Sequence, residues 1–317
     1  MPRPLRLLLA LLILLPGAFA PAAAQGYSAR ITAAVTDRAS GQPVAGAQVR
    51  IPALGLVAQT GADGQVDWAD VPLPAAEFPI TVLVAAPGYG AWTLRDVRAL
   101  SNDTLKLIIR LEEQPVEIQV PPPHSGNGAA FAPLAPAGHD ADSPLPPVIR
   151  VRVTGYPYCD TERPYIVETV DFKEYVKGVL PNEWGDWAAD SLRAGAMAAK
   201  MYAWYWVAVG GKWGDADVYD STCDQVYNPA YRYESSDAAL DYTWNWKLIK
   251  DGYLVEAFYR AYYSQCEDAG LAGKCMGQWE SKYMADAGSP WDEILLYFYV
   301  GAQLARIGGG NRRRGSA

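Results

Sequence analysis

Phe172-Lys173-Glu174-Tyr175-Val176-Lys177-Gly178-Val179-Leu180-Pro181-Asn182-Glu183-Trp184 is the stretch on which the fold of the C-terminal half turns. Asp171 precedes it as a helix cap, with Glu174 three residues on in capping-box spacing. Pro181 ends or bends that helix after one to three turns. Glu183 follows the break and is flanked by Trp184 and Trp187. A carboxyl group set in an aromatic wall is poorly solvated, which raises its pKa and suits it to general-acid work. Aromatic faces also stack on sugar rings. Read without those neighbours, Glu183 is an ordinary helix-terminal glutamate.

Outward from this stretch, a longer helix is predicted from about Trp187 to Val209, with Asp186 or Asp190 at its positive end and Gly210-Gly211 as its stop. Its interior, Ala194-Gly195-Ala196 and Ala198-Ala199, is small enough to let a neighbouring backbone approach closely. Tyr202, Trp204, Tyr205 and Trp206 point in different directions on that helix, so most of them are read as packing. Ile149 to Thr154 alternates like a strand, Lys247 to Tyr259 is strand-like, and a last helix spans about Trp291 to Tyr299. The span 148–306 is therefore an α+β domain, and most of the 11 Trp and 20 Tyr lie in it.

The span 25–114 reads differently. Arg30–Val35, Ala47–Ile51, Ile80–Val84 and Leu105–Leu111 are strand-like, with turn signals between them such as Ala62-Asp63-Gly64 and Ser101-Asn102-Asp103. Short strands at this spacing predict an all-β sandwich. Asn102-Asp103-Thr104 also fits a glycosylation sequon and is treated as a turn. Between the two domains, 115–147 is rich in Pro, Ala, Gly and Ser, which predicts an extended linker and mechanically separate domains. Residues 1–24 have the form of a secretory signal peptide: Arg3 and Arg6, the apolar run Leu7–Leu15, then Ala22 and Ala24 before Gln25. The apolar run is too short to span a bilayer, so the mature chain is expected in the cell envelope or secreted, without a membrane span.

A net charge of −8 argues against general nucleic-acid binding. Asn311-Arg312-Arg313-Arg314, inside the tail 307–317, is the one basic cluster and reads as a solvated tail. The four cysteines, Cys159, Cys223, Cys266 and Cys275, imply two disulfides in an oxidising compartment, with three pairings possible. Cys266–Cys275 as a short loop with Cys159–Cys223 as the long closure is favoured, and a zinc site is the alternative. Because His124 and His139 both sit in the linker, no metal is expected. Asp215, Asp217 and Asp220 lack the spacing of a calcium loop, and Ser221 and Ser264 have no histidine in the domain to activate them. No cofactor is implied.

Four elements in order carry a resemblance. Glu174 to Trp184 looks like the "EYLxGVVxxEMP" motif of the SpoIID/LytB family, and Ser191 to Ala203 looks like its "ALKAQAVAARTYA" helix. Asp220-Ser221-Thr222-Cys223-Asp224-Gln225-Val226-Tyr227 is similar to its "DTxxCQVY" element. Cys275 to Ala285, then Gly288 and Trp291 to Leu295, is similar to its closing "GMSQYGAxxMAxxGxxYxEIL" element. In the N-terminal half, Val35-Thr36-Asp37, Gly41 to Val49, Thr60 to Gln65 and Ala86 to Tyr89 resemble a carboxypeptidase-regulatory-like (transthyretin-like) sandwich, which implies an accessory module without catalytic residues.

The SpoIID/LytB family contains peptidoglycan lytic transglycosylases of sporulation and enhancers of cell-wall amidases. The resemblance implies glycan strands as partner and, for an enhancer, a cell-wall amidase. It assigns Glu183 as the acid, supported by Lys200 and Lys282, with substrate contacts at Trp184, Trp187, Gln225, Tyr227, Gln278 and Trp279. A lytic transglycosylase can work with one carboxyl group, because muramic acid supplies its own C6 hydroxyl as nucleophile. The chain departs from the pattern at Gly195 (usually Gln), Lys200 (usually Arg) and Met201 (usually Thr). It departs again at Gly277 and Glu280-Ser281, and at Tyr262-Tyr263-Ser264-Gln265-Cys266, where a histidine is usual. Lys and Arg are not equivalent at a bidentate site. Two readings follow, a transglycosylase and a non-catalytic glycan-binding enhancer. They differ in whether Glu183 lies in an open groove beside Lys200 and Lys282.

Overall fold

The computed structural model describes residues 26–120, 140–185 and 187–308. The expected signal segment, most of the expected linker with both histidines, Asp186 and the basic cluster at 311–314 lie outside the described residues.

The N-terminal half contains β1 (Tyr27–Asp37), β2 (Gln48–Ile51), β3 (Leu56–Gln59), β4 (Gln65–Leu73), β5 (Glu77–Ala85), β6 (Trp92–Leu100), β7 (Thr104–Leu111) and β8 (Val116–Gln119). The C-terminal half continues with β9 (Val148–Val153), β10 (Ile166–Asp171), α1 (Phe172–Glu183), α2 (Ala189–Ala208), β11 (Val218–Tyr219) and β12 (Tyr231–Tyr233). It ends with α3 (Glu234–Thr243), β13 (Trp246–Lys250), β14 (Tyr253–Leu254), β15 (Phe258–Arg260), α4 (Tyr263–Asp268), β16 (Cys275–Gly277), α5 (Gln278–Asp286), α6 (Trp291–Phe298) and β17 (Gln303–Arg306).

Along β1 and β7 apolar residues alternate with polar ones, and every second residue is buried. That period of two puts one face of each strand inward. Ile31, Val35, Leu107 and Ile109 on that face share a core with Val82, Val84 and Leu94 of a second sheet. The second sheet has the order β3-β2-β5-β6-β8. The first runs β12-β7-β1-β4, so one of its four strands comes from the C-terminal half. β12 pairs antiparallel with β7, setting Tyr231 against Leu107 and Tyr233 against Leu105. Ala230, Tyr231 and Tyr233 are buried in the N-terminal core. The Tyr233 hydroxyl donates to the Arg98 carbonyl at 2.8 Å, and ion pairs join Arg38 to Glu168 and Lys106 to Asp237.

The expectation of mechanically separate domains is therefore corrected. A linker rich in proline sets the reach of the chain between two domains, but it says nothing about a strand donated from further along. Val116–Gln119, read as linker, pairs with β6 instead. Residues 140–147 also pack on the C-terminal half, where the Pro144 carbonyl accepts from the Trp204 indole at 2.9 Å.

In the C-terminal half α2 is the central element. It is buried from Ser191 to Trp206 except at Arg193, and α1, α3, α5 and α6 all touch it. The strand-like Lys247 to Tyr259 is divided. Asp251-Gly252, both at positive φ, turn β13 back onto β14, and β15 pairs with β16 elsewhere. Asp-Gly supplies that backbone conformation at low cost.

Candidate functional site

The Asp171 carboxylate accepts from the Lys173 and Glu174 amides at 2.9 and 3.1 Å and so caps α1. Pro181 does not end the helix. It sits in the last turn, the Asn182 side chain donates to the Gly178 carbonyl at 2.7 Å, and the Trp184 amide closes on Leu180. Gly178 is needed here, because a Cβ would lie 2.5 Å from the Tyr227 ring. With the ring seated on α1, the loop after Asp224 brings the Val226 amide to Glu183, where it donates to Oε1 at 2.8 Å. Gln278, the first residue of α5, donates through Nε2 to the Glu183 carbonyl at 2.7 Å and to Oε2 at 3.3 Å.

Glu183 is thus 6% exposed, with both oxygens in contact with donors. Burial pushes its carboxyl up to about 7, against the Val226 and Gln278 donors and the positive field of Arg260. Arg260 was not singled out in the sequence. The β15–β16 register, which sets it opposite Gly277 beside Gln278, is what brings it near.

The other expected residues separate into groups. Lys200 is fully buried, and its Nζ donates to the carbonyls of Thr243, Trp244 and Trp246 at 2.8, 3.1 and 2.6 Å. It fastens the C-terminal end of α3 and makes no hydrogen bond or ion pair to Glu183, which corrects its expected supporting role. Burial draws its ammonium down to about 7, while three carbonyls and a helix C-terminus favour the charge. Lys282 pairs with Asp286 one turn along α5. Trp184 and Gln225 are buried, so neither is placed to touch a glycan. The Trp184 ring lies 4.8 Å from that of Tyr259, and Gln225 joins Tyr175, Ala199 and Tyr259 inside the core.

Trp187 and Trp279 form the outward-facing group, with ring centroids 5.2 Å apart. Trp279 also faces Tyr262 at 6.4 Å and 12°, and Tyr283 at 6.1 Å. Trp279 and Tyr283 stand four residues apart on one face of α5. Tyr262 and Tyr283 are exposed, and both tryptophans are half-buried. This aromatic strip adjoins Gln278 in sequence, and so the residue that contacts Glu183. The sequence showed its two tryptophans but not its tyrosines, because α4 and α5 meet only in the fold.

Disulfides Cys159–Cys223 and Cys266–Cys275 pair as favoured, with Cα separations of 4.6 and 5.7 Å. The second ties α4 to β16, the elements that carry Tyr262 and lead into Trp279. Among the described residues no group of three or more His, Cys, Asp or Glu is arranged to hold a metal. No described helix is long and apolar enough to cross a membrane.

Residues 161–248 match the family model of the stage II sporulation protein, SpoIID. The matched span holds α1, α2 and the loop that donates to Glu183, and it marks a domain of a peptidoglycan-related sporulation and cell-wall family. An uncharacterized protein of Brachyspira hyodysenteriae is 30% identical over 156 residues, 47% of this chain and 42% of its own length. The chain thus spans less than half of that relative. Two solved structures overlap locally. A cohesin–X-dockerin complex of Acetivibrio cellulolyticus is 16% identical, with 28% of this chain and 56% of the other covered at a TM-score of 0.21. A membrane-associated protein of unknown function from Bacteroides fragilis is 15% identical, with 38% and 33% covered at 0.20. At these scores neither carries an argument.

Proposed function

We propose that this is an envelope protein whose SpoIID domain binds peptidoglycan glycan strands without cleaving them, in the manner of an amidase enhancer. The aromatic strip carries this reading. Four rings from the α1–α2 connection, the start of α4 and α5 lie within 5.2 to 6.4 Å of a neighbour, a spacing suited to stacking on successive sugar faces. Glu183 is buried, and the two lysines that the family pattern assigns to it are engaged elsewhere, Lys200 on the α3–β13 turn and Lys282 on Asp286. The N-terminal half serves as an accessory module of the carboxypeptidase-regulatory-like kind, and 1–24 directs secretion.

One observation favours a lytic transglycosylase instead: the Glu183 carboxyl, at about 7, is poised to give and take a proton near neutrality. In that case it would protonate the glycosidic oxygen and then accept the proton of the muramic C6 hydroxyl, leaving a 1,6-anhydro end.

Purified strands, with and without stem peptides, incubated with the mature chain separate the two. Strand binding without anhydro ends by mass spectrometry is expected, and Trp279→Ala should weaken binding by about ten-fold, the loss of one stacking contact. Anhydro ends that vanish in Glu183→Ala would establish the transglycosylase. Unchanged binding in Trp279→Ala would remove the strip as the contact surface.

A further inference from the structure

A second site lies where the two halves meet. A cleft of about 230 Å³ opens between β6, β7 and β8 on one side and the loops around residues 155–157 and 226–230 on the other. Trp92, Val116, Ile118, Pro157 and Pro229 give it apolar walls. Most of the charges along it are already engaged. Arg38 pairs with Glu168, Glu117 pairs with Arg95, and Asp220 accepts from Thr154 and Gly155.

Three donors are not engaged. Arg110, on β7, borders this cleft and the two beside it, and its guanidinium makes no ion pair or hydrogen bond among the described residues. Tyr227 is 7% exposed, and its hydroxyl likewise has no partner there. Asn228 is 8% exposed. Its Oδ1 accepts from the Ala230 amide at 3.0 Å, but its Nδ2 donates to nothing among the described residues. Both donors keep access to the cleft, so two open hydrogen-bond donors and a cation without an ion pair line one concave surface, a set that suits an anionic acceptor. Arg110 and Tyr227 line the same cleft, and the positive field of Arg110 reaches the phenol.

We propose that the cleft binds a small carboxylate with a short apolar body. The carboxylate meets Arg110 and the Tyr227 hydroxyl, an acyl or amide oxygen takes the Asn228 donor, and the apolar body lies against Trp92 and Pro229. The volume is below that of a drug-sized pocket, so the ligand is about the size of one acylated amino acid or one sugar acid. A guanidinium beside a hydroxyl suits a carboxylate better than a neutral oxygen, because the hydrogen bonds are charge-assisted. Neither half forms this site alone, which gives the strand exchange at β12 a function beyond stability. The site is distinct from Glu183, although Val226 forms a wall common to both. The inference does not depend on the aromatic strip.

Calorimetric titration of the full chain tests it with N-acetyl-alanine and N-acetylmuramic acid as probes. N-acetyl-alaninamide and N-acetylglucosamine are the matched ligands without a carboxylate. Binding of at least one carboxylate is expected, about ten-fold or more tighter than its neutral match, with a similar loss in Arg110→Gln. Arg110 is exposed and unpaired, so that variant keeps the fold, and Tyr227→Phe provides a second reading of the same contact. Binding of N-acetyl-alanine alone assigns a peptide end, and binding of N-acetylmuramic acid alone assigns a sugar acid. The proposal is overturned by equal binding of the neutral matches, by unchanged affinity in Arg110→Gln, or by no binding of either carboxylate at millimolar concentration. Strand binding that depends on Trp279 would survive that failure, so the two readings fail separately.

Discussion

Glu183 at the end of α1 and Lys200 in the middle of α2 carry opposite charges, and burial moves both toward about 7. What surrounds them differs. All three donors of Lys200 end on main-chain carbonyls of the turn from α3 into β13, so the ammonium is a fastening. Glu183 holds one main-chain amide firmly, but its second oxygen has only a 3.3 Å contact with a glutamine side chain next to the aromatic strip. One charge is held wholly by backbone, the other by one backbone amide and one buried side chain. A motif alignment treats both positions as parts of one site. Their partners differ in kind: the Lys200 ammonium is spent on backbone carbonyls, while the Glu183 carboxylate is held by the Val226 amide and by Gln278, the residue before Trp279.

The most forceful way to break this comparison is Lys200→Met. Removing the ammonium leaves three carbonyls of the α3–β13 turn without their donor. A loss of about 3 kcal/mol or more in unfolding free energy is expected, since each unsatisfied buried group costs about 1–3 kcal/mol. Strand binding by the protein that remains folded should be unchanged. A small stability loss with a large binding loss would put Lys200 back in the site.

Proton linkage sharpens the comparison at intermediate cost. Glu183 and Glu256 are raised from 4.5 to about 7 and Asp220 from 3.8 to about 6, so from about pH 4 to 7 the folded protein holds more protons on these groups than the unfolded chain. Stability must then fall as pH rises through that window. Lys200, lowered from 10.5 to about 7, does the reverse: between those values the unfolded chain holds the extra proton, and stability rises with pH. Urea unfolding should show a minimum near neutrality, with stability rising toward both acid and alkaline pH. Glu183→Gln should reduce the slope of the acid limb, leaving the part carried by Glu256 and Asp220, and Lys200→Met should flatten the alkaline one. If one substitution flattens both limbs, the two charges are coupled and the comparison fails.

How much of this was legible follows from range. Asp171 as a cap, the Gly210-Gly211 stop and the Asp251-Gly252 turn are local, and local chemistry is written in adjacent residues. The short-loop disulfide is close to local too. Glu183 stood out because its neighbours in sequence are aromatic. The hydrogen bonds that decide its role come from Val226 and Gln278, 43 and 95 residues away, and no periodicity reports them. Trp184 and Trp187 looked equivalent beside it, yet one is core and the other surface, since a helix end separates them. The donation of β12 to the N-terminal sheet was invisible for the same reason: Tyr231-Arg232-Tyr233 is too short to read as a strand until β7 lies beside it.

The smallest effect concerns Gly195, which stands on α2 with Lys200 and touches the residue after Glu183. A glycine inside a helix is unfavourable by about 1 kcal/mol against alanine, so Gly195→Ala ought to stabilise α2. The structure opposes that gain, because a Cβ at Gly195 would lie 2.4 Å from the Trp184 ring. Trp184 cannot easily withdraw, being packed against Tyr259 and almost fully buried. Overpacking of this kind costs about 1–3 kcal/mol, which exceeds the helix gain and predicts a net loss of about 1 kcal/mol. In Trp184→Phe the smaller ring leaves room, so the same Gly195→Ala substitution should become neutral or stabilising. A double-mutant cycle of urea midpoints reads this as a favourable coupling between the two positions. Strict additivity would mean that Gly195 is not there for the tryptophan. The departure from the family's usual glutamine would then need a different cause, and the wall behind Glu183 would be less constrained than the Lys200 end of the same helix.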